Sequence, residues 1–258
     1  MTQAPLISFN DVEKSYASGV TPLKHFNLDV LAGETLTLLG PSGCGKSTAL
    51  RLIAGLAAPT HGEIIWSGQE QRKSFGVVFQ DPTLLPWASV FDNVYLPLRL
   101  AGVRRDAAER QVRHALTRVG LGDFATALPC ELSGGMKMRC AIARALVTEP
   151  SVILMDEPFA ALDEVTRFRL NDELLTLKQE LQATIIFVTH SVYESAYLST
   201  RIVVMSKMHG AIADEIDVDA SLRRDPEFRH TDHFADICRR ASQALRRATE
   251  EDAGAATR

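Results

Sequence analysis

Nine residues, Gly40-Pro41-Ser42-Gly43-Cys44-Gly45-Lys46-Ser47-Thr48, constrain this chain more than any other stretch. They follow an apolar, β-leaning run, Thr35-Leu36-Thr37-Leu38-Leu39, and open a helical run, Ala49-Leu50-Arg51-Leu52-Ile53-Ala54. A strand, a glycine-rich turn and a helix in that order form the context of a phosphate-binding loop. Glycine at 40, 43 and 45 lets backbone N–H groups turn toward an anion with no Cβ in the way. A helix starting at Lys46 adds the positive end of its dipole. In this pattern Lys46 reaches the β- and γ-phosphates and the Ser47 hydroxyl reaches Mg²⁺. Glycine turns before helices are common, but the full GxxxxGK[ST] pattern in this context predicts binding of a nucleoside triphosphate.

The rest of the composition narrows what surrounds that loop. A chain of 258 residues can bury one sizeable core with a subdomain inserted in it. The net charge of −4 argues against nucleic acid as the main partner, because phosphate backbones demand concentrated Lys and Arg. Met1-Thr2-Gln3-Ala4-Pro5 starts no signal-peptide pattern, and no run of about 18 apolar residues suggests a membrane span. The four cysteines, 44, 130, 140 and 238, show neither metal-type spacing nor a disulfide framework, which fits a reducing cytoplasm.

Along the chain, residues 6–39 alternate apolar and polar positions with turns at Gly19 and Gly33, predicting antiparallel strands. Tyr16 ends one of these runs, either as a half-buried strand residue or as an aromatic that stacks on a base. Short strands are expected at 62–68 and 75–79, the second ending in Gln80-Asp81-Pro82. Residues 83–130 change character: Leu84-Leu85-Pro86-Trp87, a proline-interrupted helix near 90–101 and a charged helix over 104–118 suggest a helical insertion. Leu84, Leu85 and Trp87 are either a local core or an apolar contact surface.

Leu132-Ser133-Gly134-Gly135 precedes a helix expected from Met136 to about Val147, so Ser133, Gly134 and Gly135 can form a second anion site or merely a helix cap. Residues 151–157 read as a buried strand ending in Asp156 and Glu157. A carboxylate there can hold Mg²⁺ and its neighbour can act as general base. A helix follows Ala161-Leu162-Asp163 to about Leu181, and a buried strand over 183–189 ends at His190. A lone histidine is usually structural; at a strand end in a phosphate-loop protein it can sense a γ-phosphate. Phe234, Ile237, Ala241, Leu245 and Ala248 form a narrow helical stripe with Arg239, Arg240, Arg246 and Arg247 off it, a solvated terminal helix rather than an anionic-lipid contact. Residues 251–258 are expected to be disordered.

With these motifs in order, the chain resembles the ATPase subunit of an ABC transporter, from about residue 6 to the tail. The resemblance implies an α/β fold: a P-loop core, an antiparallel β subdomain and an inserted helical subdomain at about 83–147, within an ATPase domain over 6–240 and a helix end and tail over 241–258. It implies Tyr16 as the adenine-stacking aromatic, residues 40–48 around the phosphates, and Ser133, Gly134 and Gly135 as the signature. Glu157 becomes the catalytic carboxylate, His190 the switch histidine and Ala160–Asp163 the D-loop. Gln80 joins core to helical subdomain and counts among both the catalytic groups and, with Ser47 and Asp156, the Mg²⁺ ligands. The chain differs from the commonest pattern at Met136, Met138, Cys130, Ala160 and Ser191.

A finer resemblance, to nitrate, sulfonate and taurine importers, rests on 78–81, 84–87, 90–94, Leu-Ser-Gly-Gly-Met with 141–146, and Arg224-Asp225-Pro226-Glu227-Phe228. It implies import of a small organic or inorganic anion or a thiamine-precursor-like solute, two copies paired head to tail on ATP, a membrane permease, indirectly a solute-binding protein, and a place in the cytoplasm on the inner face of the membrane. Three rivals are weighed. A soluble ABC ATPase of DNA repair or translation would carry coiled-coil insertions or paired ATPase domains. A small-molecule phosphotransferase would not explain Leu-Ser-Gly-Gly before a helix. An ATP-binding regulator without hydrolysis would not need both Glu157 and His190.

Overall fold

The computed structural model describes residues 4–68, 75–220, 222 and 224–255, the last five by backbone alone. The chain divides into two compact units, Met1–Arg72 with Thr184–Arg258, and Lys73–Ala183.

In the first unit, strands β1 (Ile7–Lys14), β2 (Leu23–Val30) and β4 (His61–Trp66) form an antiparallel sheet in the order β2-β1-β4. Alternation puts Ile7 and Phe9 on one face of β1; a register shift follows before Val12, and all three are buried, with Phe9 edge-on to Phe26 of β2 at 5.2 Å between ring centroids. Thr35–Leu39, expected among the antiparallel strands, does not join this sheet. As β3 it lies between β7 (Thr184–Thr189) and β8 (Arg201–Met205), parallel to both. Every residue of β3 and β7 is buried, as in a parallel sheet covered on both faces, which produces a continuous run in place of alternation. Strand β9 (Ile212–Asp217) then runs antiparallel to β8.

Helices α1 (Lys46–Ile53), α6 (Val192–Leu198) and α7 (Asp232–Ala255) pack in this unit, α7 against α6, β8 and β9. The stripe of α7 is buried at Phe234, Ile237, Ala241 and Ala248, with Ala244 added, while Arg239, Arg240, Arg246 and Arg247 face solvent. Disorder over 251–258 is not what the structure shows for 251–255, which continue α7; residues 256–258 lie outside the described residues. The motif at 224–228 fastens α6 to α7. Arg224 Nη1 donates to the Tyr197 carbonyl at 3.3 Å and to that of Ser199 at the end of α6, and Phe228 stacks near Tyr197 and Phe234.

The second unit holds the parallel pair β5 (Phe75–Val78) and β6 (Val152–Asp156) with helices α2 (Val90–Leu100), α3 (Arg105–Arg118), α4 (Gly134–Leu146) and α5 (Glu164–Leu181). Helices α2, α3 and α4 pack on one another, and α4 also covers β5. The close approach depends on Gly76, where a Cβ would lie 2.4 Å from the Ala145 carbonyl oxygen. Pro97 does not interrupt α2, which runs through it. One internal N–H is lost, but the helix is fixed at its start by Ser89, which accepts from the Asp92 N–H at 3.1 Å, and by the fully buried Asn93. The helix expected from Met136 begins two residues earlier, because Ser133 caps it and both glycines enter the first turn.

Candidate functional site

In the first unit the phosphate loop leaves β3 at Gly40 and enters α1 at Lys46. Thr189 is paired with Leu39, so His190 leaves β7 one residue past the register at the level of Gly40. Both therefore stand at the carboxyl edge of a parallel sheet, where α/β proteins place ligands. The loop is held closely from beneath: a Cβ at Gly40 would meet the Met205 carbonyl oxygen at 2.6 Å, and one at Gly45 would meet that of Pro22 at 2.7 Å. Gly43, with φ +84°, has nothing within 4 Å of its Cβ direction, so the crest of the loop is open.

Helix α1 starts without a side-chain cap, from Gly45 at φ 104°. The first N–H groups of any helix have no intrahelical acceptor, so such a start can receive an anion. Lys46 is only 4% exposed, and its Nζ donates to the carbonyls of Gly40 at 2.8 Å and Pro41 at 3.0 Å. These are neutral acceptors, which a phosphate oxygen outcompetes through charge-assisted hydrogen bonding. Pro41 and Ser47 are half-buried, Ser42 is exposed, and Cys44 and Thr48 are buried. Tyr16 lies past the end of β1, 37% exposed, with Lys14 Nζ 5.2 Å from its ring centroid. It is not a strand residue; its N–H bonds to the Val20 carbonyl in the following turn at 2.9 Å.

In the second unit a matching pair of strand ends appears. Val78 is paired with Met155, so Gln80 and Glu157 leave β5 and β6 at the same level, two residues past the register. Asp156 ends β6 and is 9% exposed; Glu157 follows, half-buried, with φ +47°. A non-glycine residue in the left-handed region costs about 1–3 kcal/mol and persists only where its surroundings impose it, commonly at functional sites. Phe159, fully buried two residues on, anchors the turn.

At the start of α4, Ser133 Oγ accepts from the Met136 N–H at 3.3 Å. Ser133 and Gly134 are exposed and Gly135 is half-buried. A Cβ at Gly135 would lie 2.8 Å from Thr166 Cγ2, whereas one at Gly134 would meet Leu162 Cδ2 at an ordinary 3.7 Å. The D-loop turn ends in Asp163, which caps α5 by accepting from the Thr166 N–H at 3.0 Å; that bond holds its carboxyl below the usual carboxylate range.

Sequence reading missed Arg144. From α4 its guanidinium donates to the carbonyls of Pro82 at 2.7 Å and Thr83 at 2.9 Å and to the Thr83 hydroxyl at 3.0 Å. Thr83 is β-branched and sits at φ +47°, so this clamp maintains a costly conformation just after Gln80. Burial pushes the Arg144 guanidinium below its ordinary value. No sequence pattern marks a contact between residues 61 positions apart. Trp87 is 76% exposed while Leu84 and Leu85 are half-buried, so its ring is surface, not core.

A family model described as ABC transporter matches residues 23–160. A putative ATP-binding protein of Brucella abortus is 44% identical over 244 residues, 93% of this chain and 94% of the relative. A taurine import ATP-binding protein of Rhizobium johnstonii is 42% identical, covering 79% of each chain. The nitrate transport protein NasD of Klebsiella oxytoca is 41% identical, covering 85% of this chain and 87% of its own length. Among solved structures, the dimeric post-hydrolysis form of the ATP-binding cassette MJ0796, bound to ADP and Pi, aligns with a TM-score of 0.73 at 31% identity. That alignment covers 83% of this chain and 99% of the other.

Proposed function

Because this chain belongs to the ABC transporter ATP-binding family, and so binds and hydrolyses ATP on a P-loop fold, we propose that it powers import of a small anion through a membrane permease. The observation that carries this reading is the pair of glycine-opened helix starts. One, at α1, is buried and holds a lysine; the other, at α4, is exposed on the surface of its own unit. An exposed anion-binding end suits a second copy of the chain, whose nucleotide it would cover.

In this proposal two copies pair head to tail, each ATP lying between Lys46 of one and Ser133, Gly134 and Gly135 of the other. The Gly40–Thr48 loop cradles the phosphates and Tyr16 stacks on adenine. Glu157 accepts a proton from the attacking water, and His190 hydrogen-bonds the γ-phosphate. The hydroxyl of Ser47, the carboxylate of Asp156 and the amide oxygen of Gln80 are hard oxygen donors of the kind Mg²⁺ takes, and would hold it. Bound there, Mg²⁺ would neutralise charge on the phosphates. Most of the rate enhancement is then positioning and electrostatics.

Trp87, exposed beside a backbone fixed by Asn93, is proposed to receive a cytoplasmic helix of the permease. No helix among the described residues is long and apolar enough to cross a membrane, so the chain would meet the membrane's inner face through that permease. Taurine carries a sulfonate and nitrate is an oxyanion, so the names of the two transport relatives support a small oxyanion as solute. A solute-binding protein would deliver it. The rival, a soluble ATPase outside transport, has no support in those names.

A strain lacking the chain tests the reading directly. It should lose growth on one small oxyanion as sole sulfur or nitrogen source, regain it with the wild-type chain, and not regain it with Glu157→Gln. Undiminished uptake of sulfonates and nitrate in that strain would exclude the proposed solute class.

A further inference from the structure

The residues on both sides of His190 are tied to one buried carboxylate. Thr189, the last residue of β7, is 2% exposed, and its hydroxyl donates to Oε2 of Glu194 in the first turn of α6. Glu194 itself is 5% exposed. The same Thr189 Oγ1 accepts the Ser191 N–H at 3.0 Å, and Ser191 Oγ accepts the Glu194 N–H at 3.3 Å as the cap of α6. In an ordinary capping box the glutamate would accept straight from the N–H of the capping residue. Here Thr189 is inserted, so the relay runs from the Ser191 N–H through the Thr189 hydroxyl to the Glu194 carboxylate.

Two consequences follow from the chemistry. A capping-box glutamate works equally well at the surface, so capping alone does not account for burying this carboxylate, which costs free energy unless it is hydrogen-bonded. The relay also fixes the residue before His190 and the amide after it, while the histidine itself is exposed. His190 is left with little freedom beyond its own side-chain torsions.

We infer that Thr189 and Glu194 are positioning residues for His190, holding its backbone so that the imidazole meets the γ-phosphate already aligned. This rests on the proposed role of His190 in hydrolysis. Small misplacements of a reacting group cost turnover steeply, so Thr189→Val, which keeps the volume and removes the hydroxyl, should slow hydrolysis about 10- to 100-fold. The KM for ATP should not move, because the phosphate loop is untouched, and Thr189→Ser should restore the rate.

The decisive measurement is a double-mutant cycle on the full chain, read as single-turnover hydrolysis with protein in excess over labelled ATP so that slow variants remain measurable. In a His190→Ala background Thr189→Val should cost nothing further, an outcome that a general loss of folding would not produce. Equal slowing in both backgrounds would show that Thr189 acts elsewhere and would overturn the inference. Wild-type turnover in Thr189→Val beside a slow His190→Ala would also overturn it while leaving the role of His190 intact. Wild-type turnover in His190→Ala would remove that role and the inference with it. Should the valine variant not fold, Thr189→Ala carries the same cycle.

Discussion

Helices α1 and α4 both open from segments of serine and glycine that look alike as anion sites, yet the structure finishes one and leaves the other open. At α1 the first residue is a left-handed glycine with no capping side chain, the loop is packed from below, and Lys46 is buried against it. At α4 Ser133 caps its own helix, Lys137 in the first turn is only half-buried, and Ser133 and Gly134 face solvent. A helix end with a buried lysine can bind phosphate alone. A capped, exposed one adds only N–H groups and a hydroxyl, and becomes useful when another molecule brings the anion to it. The difference separates a binding site from a contact that reports on binding.

The largest expected effect breaks the comparison if it fails. Glu157→Gln keeps shape and removes the proposed general base, so turnover should fall about 10²- to 10⁴-fold while ATP still binds. The uncleaved γ-phosphate then persists, and ATP, unlike ADP, should convert the protein from monomer to dimer in chromatography with light scattering. Adding Ser133→Arg fills the start of α4 with a bulky cation and should abolish that dimer. A dimer that survives Ser133→Arg would mean that α4 contributes no second anion contact.

Next comes the buried lysine at the start of α1. Lys46→Ala removes a charge-assisted contact of about 1.5–3 kcal/mol, so nucleotide titration should give an affinity roughly 10- to 100-fold weaker. Unchanged affinity would reduce α1 to the level of α4. The smallest effect sharpens the contrast. Gly45→Ala puts a Cβ 2.7 Å from the Pro22 carbonyl oxygen at a left-handed position and should lower stability by about 1–3 kcal/mol. Gly134→Ala meets only an ordinary contact at 3.7 Å and should melt close to wild type. Equal melting temperatures would show that the loop before α1 is no more tightly supported than the one before α4.

Much of the chemistry was legible in one dimension because its geometry is local. The strand, turn and helix around Gly40–Thr48 are consecutive, so their mutual placement follows from backbone preferences at a few positions. Asp156, Glu157 and His190 could be placed at strand ends for the same reason: an apolar run stops and a polar group follows. The capping role of Ser191 and Glu194 went unread, and the insertion of Thr189 between them depends on where β7 ends. The misread strand direction depended on neighbours far along the chain. The antiparallel assignment of Thr35–Leu39 failed because partners at 185–189 and 201–204 decide strand direction, and a fully buried strand loses the alternation that would reveal its setting.

The sequence by itself therefore determined the ATP-binding chemistry, the family and the place of the phosphate-loop motif between strand and helix, since each rests on a short run whose own backbone supplies the geometry. Tertiary structure alone decided that Arg144 clamps the strained Thr83, that Arg224 holds the end of α6, and that a buried glutamate holds both flanks of His190. Those contacts join groups whose meeting depends on helix packing and strand register, and a hydrogen bond leaves no mark on the sequence until the fold has brought donor and acceptor within reach.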